Sequence, residues 1–94
     1  MAAELIKVII MNREQILFQG EVKSLTSVNI TGEFDILARH QNFISVIKEK
    51  VVLRPAEGQP IQYPITQGIM HVVSNSVRVF LGIGKSLSSL STPN

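Results

Sequence analysis

The sequence contains no cysteine, which removes disulfides, thiolate metal sites and thiol nucleophiles at once and fits a reducing compartment. Aromatic residues are scarce, with four Phe, one Tyr and no Trp, so a stacking platform for single-stranded nucleic acid has little to be built from. No apolar run reaches the ~20 residues that a membrane-spanning helix requires, and Met1-Ala2-Ala3-Glu4 lacks the basic-then-apolar layout of a signal peptide. A dominant charge is missing too. Nine Lys and Arg stand against seven Asp and Glu, a formal net charge of +2, and the basic residues are scattered. Phosphate binding needs a concentrated basic face. The chain is therefore expected to be soluble, to bind no nucleic acid, and to meet a membrane only through partners.

What is present is apolar and strand-like. Hydrophobic residues make up 45% of the 94 residues, enough to offset the entropy of ordering one domain. Short Val-, Ile- and Leu-rich segments, each closed by polar or turn residues, recur at the spacing expected of sandwiches and barrels. Leu5 to Ile10 is the first, and Gln15 to Phe18 a second, ended by Gly20. Glu21 to Ile30 alternates in part and carries Thr and Ser, as a half-exposed strand does. Phe34 to Leu37 follows the break at Thr31-Gly32-Glu33, and residues 38–42 read as a surface loop.

Phe43 to Leu53 partly satisfies a helical period, but its β-branched content favours two short strands joined by a polar turn at Lys48-Glu49-Lys50. Ala56 to Gln59 reads as a hairpin loop, with Gly58 free to take a positive φ. Pro64 within Ile61 to Ile65 predicts an edge position or a bulge, because proline cannot donate to a ladder. Ile69 to Val73 and Val77 to Leu81 form a last hairpin about Ser74-Asn75-Ser76. The expected organisation is one all-β domain over residues 1–83 and a flexible polar tail over residues 84–94.

Signals for chemistry are weak. Gly84-Lys85-Ser86 resembles the end of a phosphate-binding loop, but the glycine required five residues earlier is replaced by Val79. His40 and His71 are the two histidines, and a metal site needs further ligands that the sequence does not supply. No glycine pattern of a nucleophile elbow surrounds any serine. Asn29-Ile30-Thr31 matches a glycosylation acceptor, which carries no weight without a secretory signal. No catalytic residue, metal or cofactor is expected. Glu33 and His40 bracket Phe34–Leu37, a strand short enough that both are expected at one end of the domain; solvated loop residues and a recognition site both remain open for them.

The ordered motifs resemble a known family, the epsilon subunit of F-type ATP synthases, called delta in mitochondria. The resemblance runs through Gln15-Ile16-Leu17-Phe18-Gln19-Gly20-Glu21-Val22, Gly32-Glu33-Phe34 leading to Ile36-Leu37, His40 and Phe43-Ile44-Ser45. It continues at Gly58, Gly68 and Val77-Arg78-Val79-Phe80-Leu81. It implies a flattened sandwich of about ten short strands, two sheets packed face to face. It also implies a non-catalytic rotor subunit, peripheral on the cytoplasmic or organelle-interior face of an energy-coupling membrane. Its partners would be the gamma subunit along one side and the membrane c-ring at the end carrying Glu33 and His40, to which Arg39 is assigned as well.

The sequence departs from the family pattern where Asp35 replaces glycine, Ala38-Arg39 replaces Pro-Gly and Gln41-Asn42 replaces Ala-Pro. These changes remove a preset turn and leave the loop geometry open. The family's two-helix C-terminal domain, with its inhibition of hydrolysis and its ATP binding, is expected to be missing from this polypeptide. A small β-barrel that binds nucleic acid or sugar is the alternative reading.

Overall fold

The computed structural model describes residues 4–82, and the expected tail lies outside them. These residues are all-β. Seven strands follow one another: β1 (Ile6–Met11), β2 (Ile16–Val22), β3 (Ser24–Asn29), β4 (Gly32–Leu37), β5 (Phe43–Arg54), β6 (Ile61–Val73) and β7 (Ser76–Leu81). They form a single sheet in the order β2-β1-β7-β6-β5-β3-β4, antiparallel except for the β1–β7 pair.

The expected ten short strands are thus seven, because several segments fuse. Lys48-Glu49-Lys50 is not a turn but a register shift inside the 12-residue β5, with Glu49 at φ 74°. Opposite it, Lys48 pairs with Gln67 and Glu49 with Ile65, so Thr66 is the extra residue of β6. A bulge of this kind bends the strand and increases its twist without ending it. Its polar residues read in sequence as a break between two strands. Gly20 likewise lies inside β2, and the expected segment Glu21 to Ile30 is divided at Lys23 between β2 and β3.

The bends explain how one sheet makes two layers. β7 pairs with residues 68–73 of β6, whereas β3 pairs with residues 48–54 of β5. The two halves of the β5–β6 ribbon therefore belong to different layers. One core cluster nevertheless joins Ile6, Val8 and Ile10 of β1 to Leu25 of β3, Ile36 of β4, Val51 and Leu53 of β5 and Val79 of β7. Such burial at both ends of an open sheet requires the ends to face each other. Tyr63 Oη donates to Leu17 O at 3.4 Å, a direct link between β6 and β2, two strands that are not neighbours in the sheet. Two expectations are met along the way. Gly58 has φ +100° in the β5–β6 loop, and Pro64 sits beside the register shift on a stretch of β6 that β7 does not reach.

Candidate partner-binding site

β4 sets the positions of the three residues expected at one end. Glu33 is its second residue, and Arg39 and His40 follow its last, Leu37. Four residue steps of ~3.3 Å separate Glu33 from Leu37, about 13 Å. Glu33 and Leu37 thus stand near opposite ends of the strand, and after Leu37 the chain turns, His40 N donating to Leu37 O at 3.2 Å. Together the three flank an outer edge, because among the described strands β4 pairs only with β3. Glu33 is exposed and binds Lys50 Nζ at 2.8 Å. Asp35 Oδ1 accepts a hydrogen bond from the Thr26 hydroxyl, and Arg54 Nη1 donates to Thr26 Oγ1 at 2.6 Å. The Asp35 carboxylate is thus held against β3.

The loop over residues 38–42 contains neither proline nor glycine and is held instead by side chains. Arg39 has φ 68°, a left-handed conformation that costs a non-glycine residue about 1 kcal/mol or more. Its amide donates to Asn75 Oδ1 at 2.7 Å, and the Ser74 amide donates in return to Asn42 Oδ1 at 3.0 Å. These reciprocal side-chain bonds clamp the loop to the β6–β7 turn, whose Asn75 O also accepts from Lys7 N at 2.8 Å. The Arg39–Glu4 ion pair at 2.9 Å is exposed on both sides and adds little. Asn75→Ala is expected to cost about 1 kcal/mol. It should also speed amide exchange at Arg39 while Ser74 stays protected, which exchange by NMR would check.

His40 has a fixed ring. Its Nδ1 lies 2.8 Å from Gln41 O, so this nitrogen donates and Nε2 is left for another partner. The imidazole meets the Phe43 ring edge-on at a centroid distance of 5.6 Å, and Phe43 packs on Phe34 at 5.5 Å. His71 lies elsewhere, exposed on the outward face of β6 opposite Arg78. No group of three or more His, Cys, Asp or Glu residues that could hold a metal occurs among the described residues.

A second surface was not anticipated from the sequence. Val8, Ile10, Met70, Val77 and Val79 face the core, so strand alternation turns Ile9, Met11, Ile69 and Phe80 outward. Register aligns Ile16 with Met11, Met11 with Phe80, Phe80 with Ile69 and Ile69 with Val46. The result is an apolar row across the outer face of five strands, ending at Ile16 (55% exposed) and Val46 (54% exposed). The signal available in the sequence was apolar residues at both parities of one strand, as in Val8-Ile9-Ile10-Met11 and Phe43-Ile44-Ser45-Val46-Ile47. A strand of a two-layer sandwich otherwise alternates apolar-in with polar-out.

Comparison with known proteins agrees with this geometry. The model of the ATP synthase delta/epsilon chain β-sandwich domain matches residues 5–82. The chain belongs to that family. It is 35% identical over 72 residues to an ATP synthase epsilon chain of Clostridium perfringens, covering 76% of this chain and 54% of the relative. It is 31% identical over 75 residues to one of Helicobacter pylori, covering 80% and 61% respectively. The chain thus spans little more than half the length of these relatives. Among solved structures, a chain of the Euglena gracilis mitochondrial ATP synthase (OSCP/F1/c-ring) superposes with a TM-score of 0.76 at 18% identity, over 96% of this chain and 68% of that one. A chain of the Tetrahymena thermophila mitochondrial ATP synthase central stalk and c-ring gives 0.67 at 12% identity, over 80% and 61%. These two likenesses show a shared fold.

Proposed function

We propose that the chain is a non-catalytic central-stalk subunit of an F-type ATP synthase, docking the gamma subunit onto the c-ring so that ion-driven rotation reaches the catalytic head. The observation that carries this reading is the family match, which spans the described sandwich from β1 to β7. The relatives' names and the assemblies holding the similar folds support it. In this reading the apolar outer row faces gamma, since buried apolar area is what a permanent subunit interface uses. Glu33, Arg39 and His40, strung along the β4 edge and its fixed loop, face the polar loops of the ring. The clamped loop suits a torque-bearing contact, because a pre-ordered surface loses less entropy on binding.

The test is reconstitution. The chain should bind a purified gamma–c-ring subcomplex in one-to-one stoichiometry and ignore single-stranded DNA at all salt concentrations. Binding of DNA with a steep salt dependence and indifference to gamma would instead establish the small-barrel alternative. Glu33→Ala and His40→Ala should each weaken attachment to the ring several-fold while leaving the melting temperature within a few degrees. Removing Glu33 sacrifices only a surface ion pair, worth about 0–1 kcal/mol. A large fall in melting temperature for either variant would mean that these side chains serve the fold and not the ring.

A further inference from the structure

The single sheet leaves four stretches of backbone with no strand beside them among the described residues: the outer sides of β2 and β4, residues 61–65 of β6 beyond β7, and residues 43–47 of β5 beyond β3. An exposed edge invites unwanted pairing, and proteins blunt it with charge, proline or bulges. Three of these edges are blunted. β4 carries Glu33 and Asp35, β2 carries Glu21 and the extra residue Leu17 at its register shift against β1, and β6 carries Pro64. The β5 stretch, Phe43-Ile44-Ser45-Val46-Ile47, has no charge and no proline. It is the edge that remains open.

Its unpaired backbone groups can be assigned. Gly82 N donates to Gln67 O at 3.0 Å, so Gln67 turns its peptide groups toward β7. In an antiparallel ladder the direction alternates residue by residue. Gly68, Met70 and Val72 therefore bond to β5 through Ile47, Ser45 and Phe43, their register partners. Ile44 and Val46 have their N–H and C=O groups on the side away from β6, where the Val46 carbonyl accepts the Ser45 hydroxyl at 3.2 Å and Asn29 Nδ2 reaches Ser45 Oγ at 3.3 Å. The two amides and the Ile44 carbonyl have no strand beside them, and Lys48, next in the alternation, is where β3 begins to pair. The side chains of Ile44 and Val46 are exposed as well, 67% and 54%. With Ile30 (94% exposed), Lys48, Thr66 and Gln67 they line a groove of about 690 Å³.

We infer that residues 43–47 of β5 form a strand-addition site, at which an extended segment of the gamma subunit pairs edge to edge with this sheet. Backbone N–H and C=O groups in a row call for another backbone, which gives affinity, while alternate side chains give selectivity. The segment should carry apolar residues two apart, to lie on Ile44 and Val46, and an acidic residue to meet Lys48, which makes no ion pair among the described residues. Ile44 and Val46 also continue the apolar outer row, Val46 being its last member, so one partner covers both. The inference rests on the proposed function for the identity of the partner and deepens it by naming the mode of contact.

Hydrogen–deuterium exchange by NMR, on the full chain alone and bound to the gamma subunit of the same organism's ATP synthase, tests it. The Ile44 and Val46 amides should exchange fast in the free chain and at least tenfold more slowly in the complex, whereas Ser45 is slow in both. Val46→Pro removes the edge donor but no ladder bond, as Pro64 does naturally on the other edge, and should weaken gamma binding at least tenfold. Val46→Lys keeps the donor at an already exposed position and supplies a folded variant should the proline disturb the strand; it too should weaken binding. Gamma binding with unchanged exchange at Ile44 and Val46, or with full affinity for Val46→Lys, overturns strand addition and leaves the proposed function standing. No gamma binding by the wild-type chain overturns both. Protection of the same amides in the chain alone, with dimers in sedimentation, would assign the edge to a second copy and overturn gamma as its occupant.

Discussion

Val79→Asp is expected to abolish the cooperative thermal transition, and Arg78→Asp, one residue away, to leave it within about 0.5 kcal/mol of the parent. Val79 is wholly buried and packs in the cluster shared by both layers, whereas Arg78 lies exposed on the outer face. An aspartate at 79 forfeits the burial of a valine, worth about 1.5–3 kcal/mol, and places in the core a carboxyl group whose unpaired charge costs several kcal/mol more. A domain of this size is stable by only about 5–14 kcal/mol. The combined loss consumes most or all of that margin, and far-UV circular dichroism on heating reads it directly. A Val79→Asp variant that melts cooperatively near the parental temperature would mean that the two faces of β7 have been exchanged.

Gly68→Val should cost about 3 kcal/mol, seen as a fall in the urea midpoint without a change in slope. Gly68 is buried on β6 immediately after the register shift, where the strand passes from one layer to the other. A Cβ added there would stand 2.7 Å from Phe80 O and 3.0 Å from a Leu81 methyl carbon. The carbonyl belongs to the backbone and cannot rotate away, so the β6–β7 ladder itself must shift. Gly20→Ala provides the contrast, since its Cβ would meet the tip of the Phe18 ring at 3.3 Å. A flexible side chain yields at little cost, and the expected loss is below about 1 kcal/mol. Equal effects at Gly68 and Gly20 would show that the close approach of β7 to β6 does not constrain the fold.

Much of this domain was legible from residue pattern because a strand writes its inner face at a period of two. Ile6, Val8 and Ile10 alternate plainly, as do Val77 and Val79, and all five are buried. Pro64 announced an edge and Gly58 a positive φ, since each reflects a covalent property of one residue. Local chemistry misled where a feature depended on pairing across the sheet. Lys48-Glu49-Lys50 has the composition of a turn, and only the presence of β6 opposite makes it a bulge within one strand. The 38–42 loop, without its proline and glycine, carried no local sign of order. Its order comes from Asn75, 36 residues beyond Arg39.

The surfaces proposed to face partners divide in the same way. Glu33 and His40 were singled out as the residues bracketing Phe34–Leu37, and only the resemblance turned them, with Arg39, toward partner binding, because an exposed recognition residue is indistinguishable in sequence from a solvated one. The apolar row was half visible, as apolar residues at both parities of β1 and β5. That Ile16, Met11, Phe80, Ile69 and Val46 are neighbours is a fact of register, and register joins residues far apart in the chain.

By itself the sequence determined the class of the fold, the family, the core faces of its strands and the lack of thiol chemistry, since each depends on the identity of a residue or on its near neighbours. Tertiary structure alone decided that the seven described strands make one sheet bent into two layers, that two asparagines hold the 38–42 loop, and that residues 43–47 of β5 have no strand on one side among the described residues. The physical reason is that hydrogen-bond partners across a sheet are chosen by the closing of the core, where burial of both layers selects a single register from many that local pattern would allow.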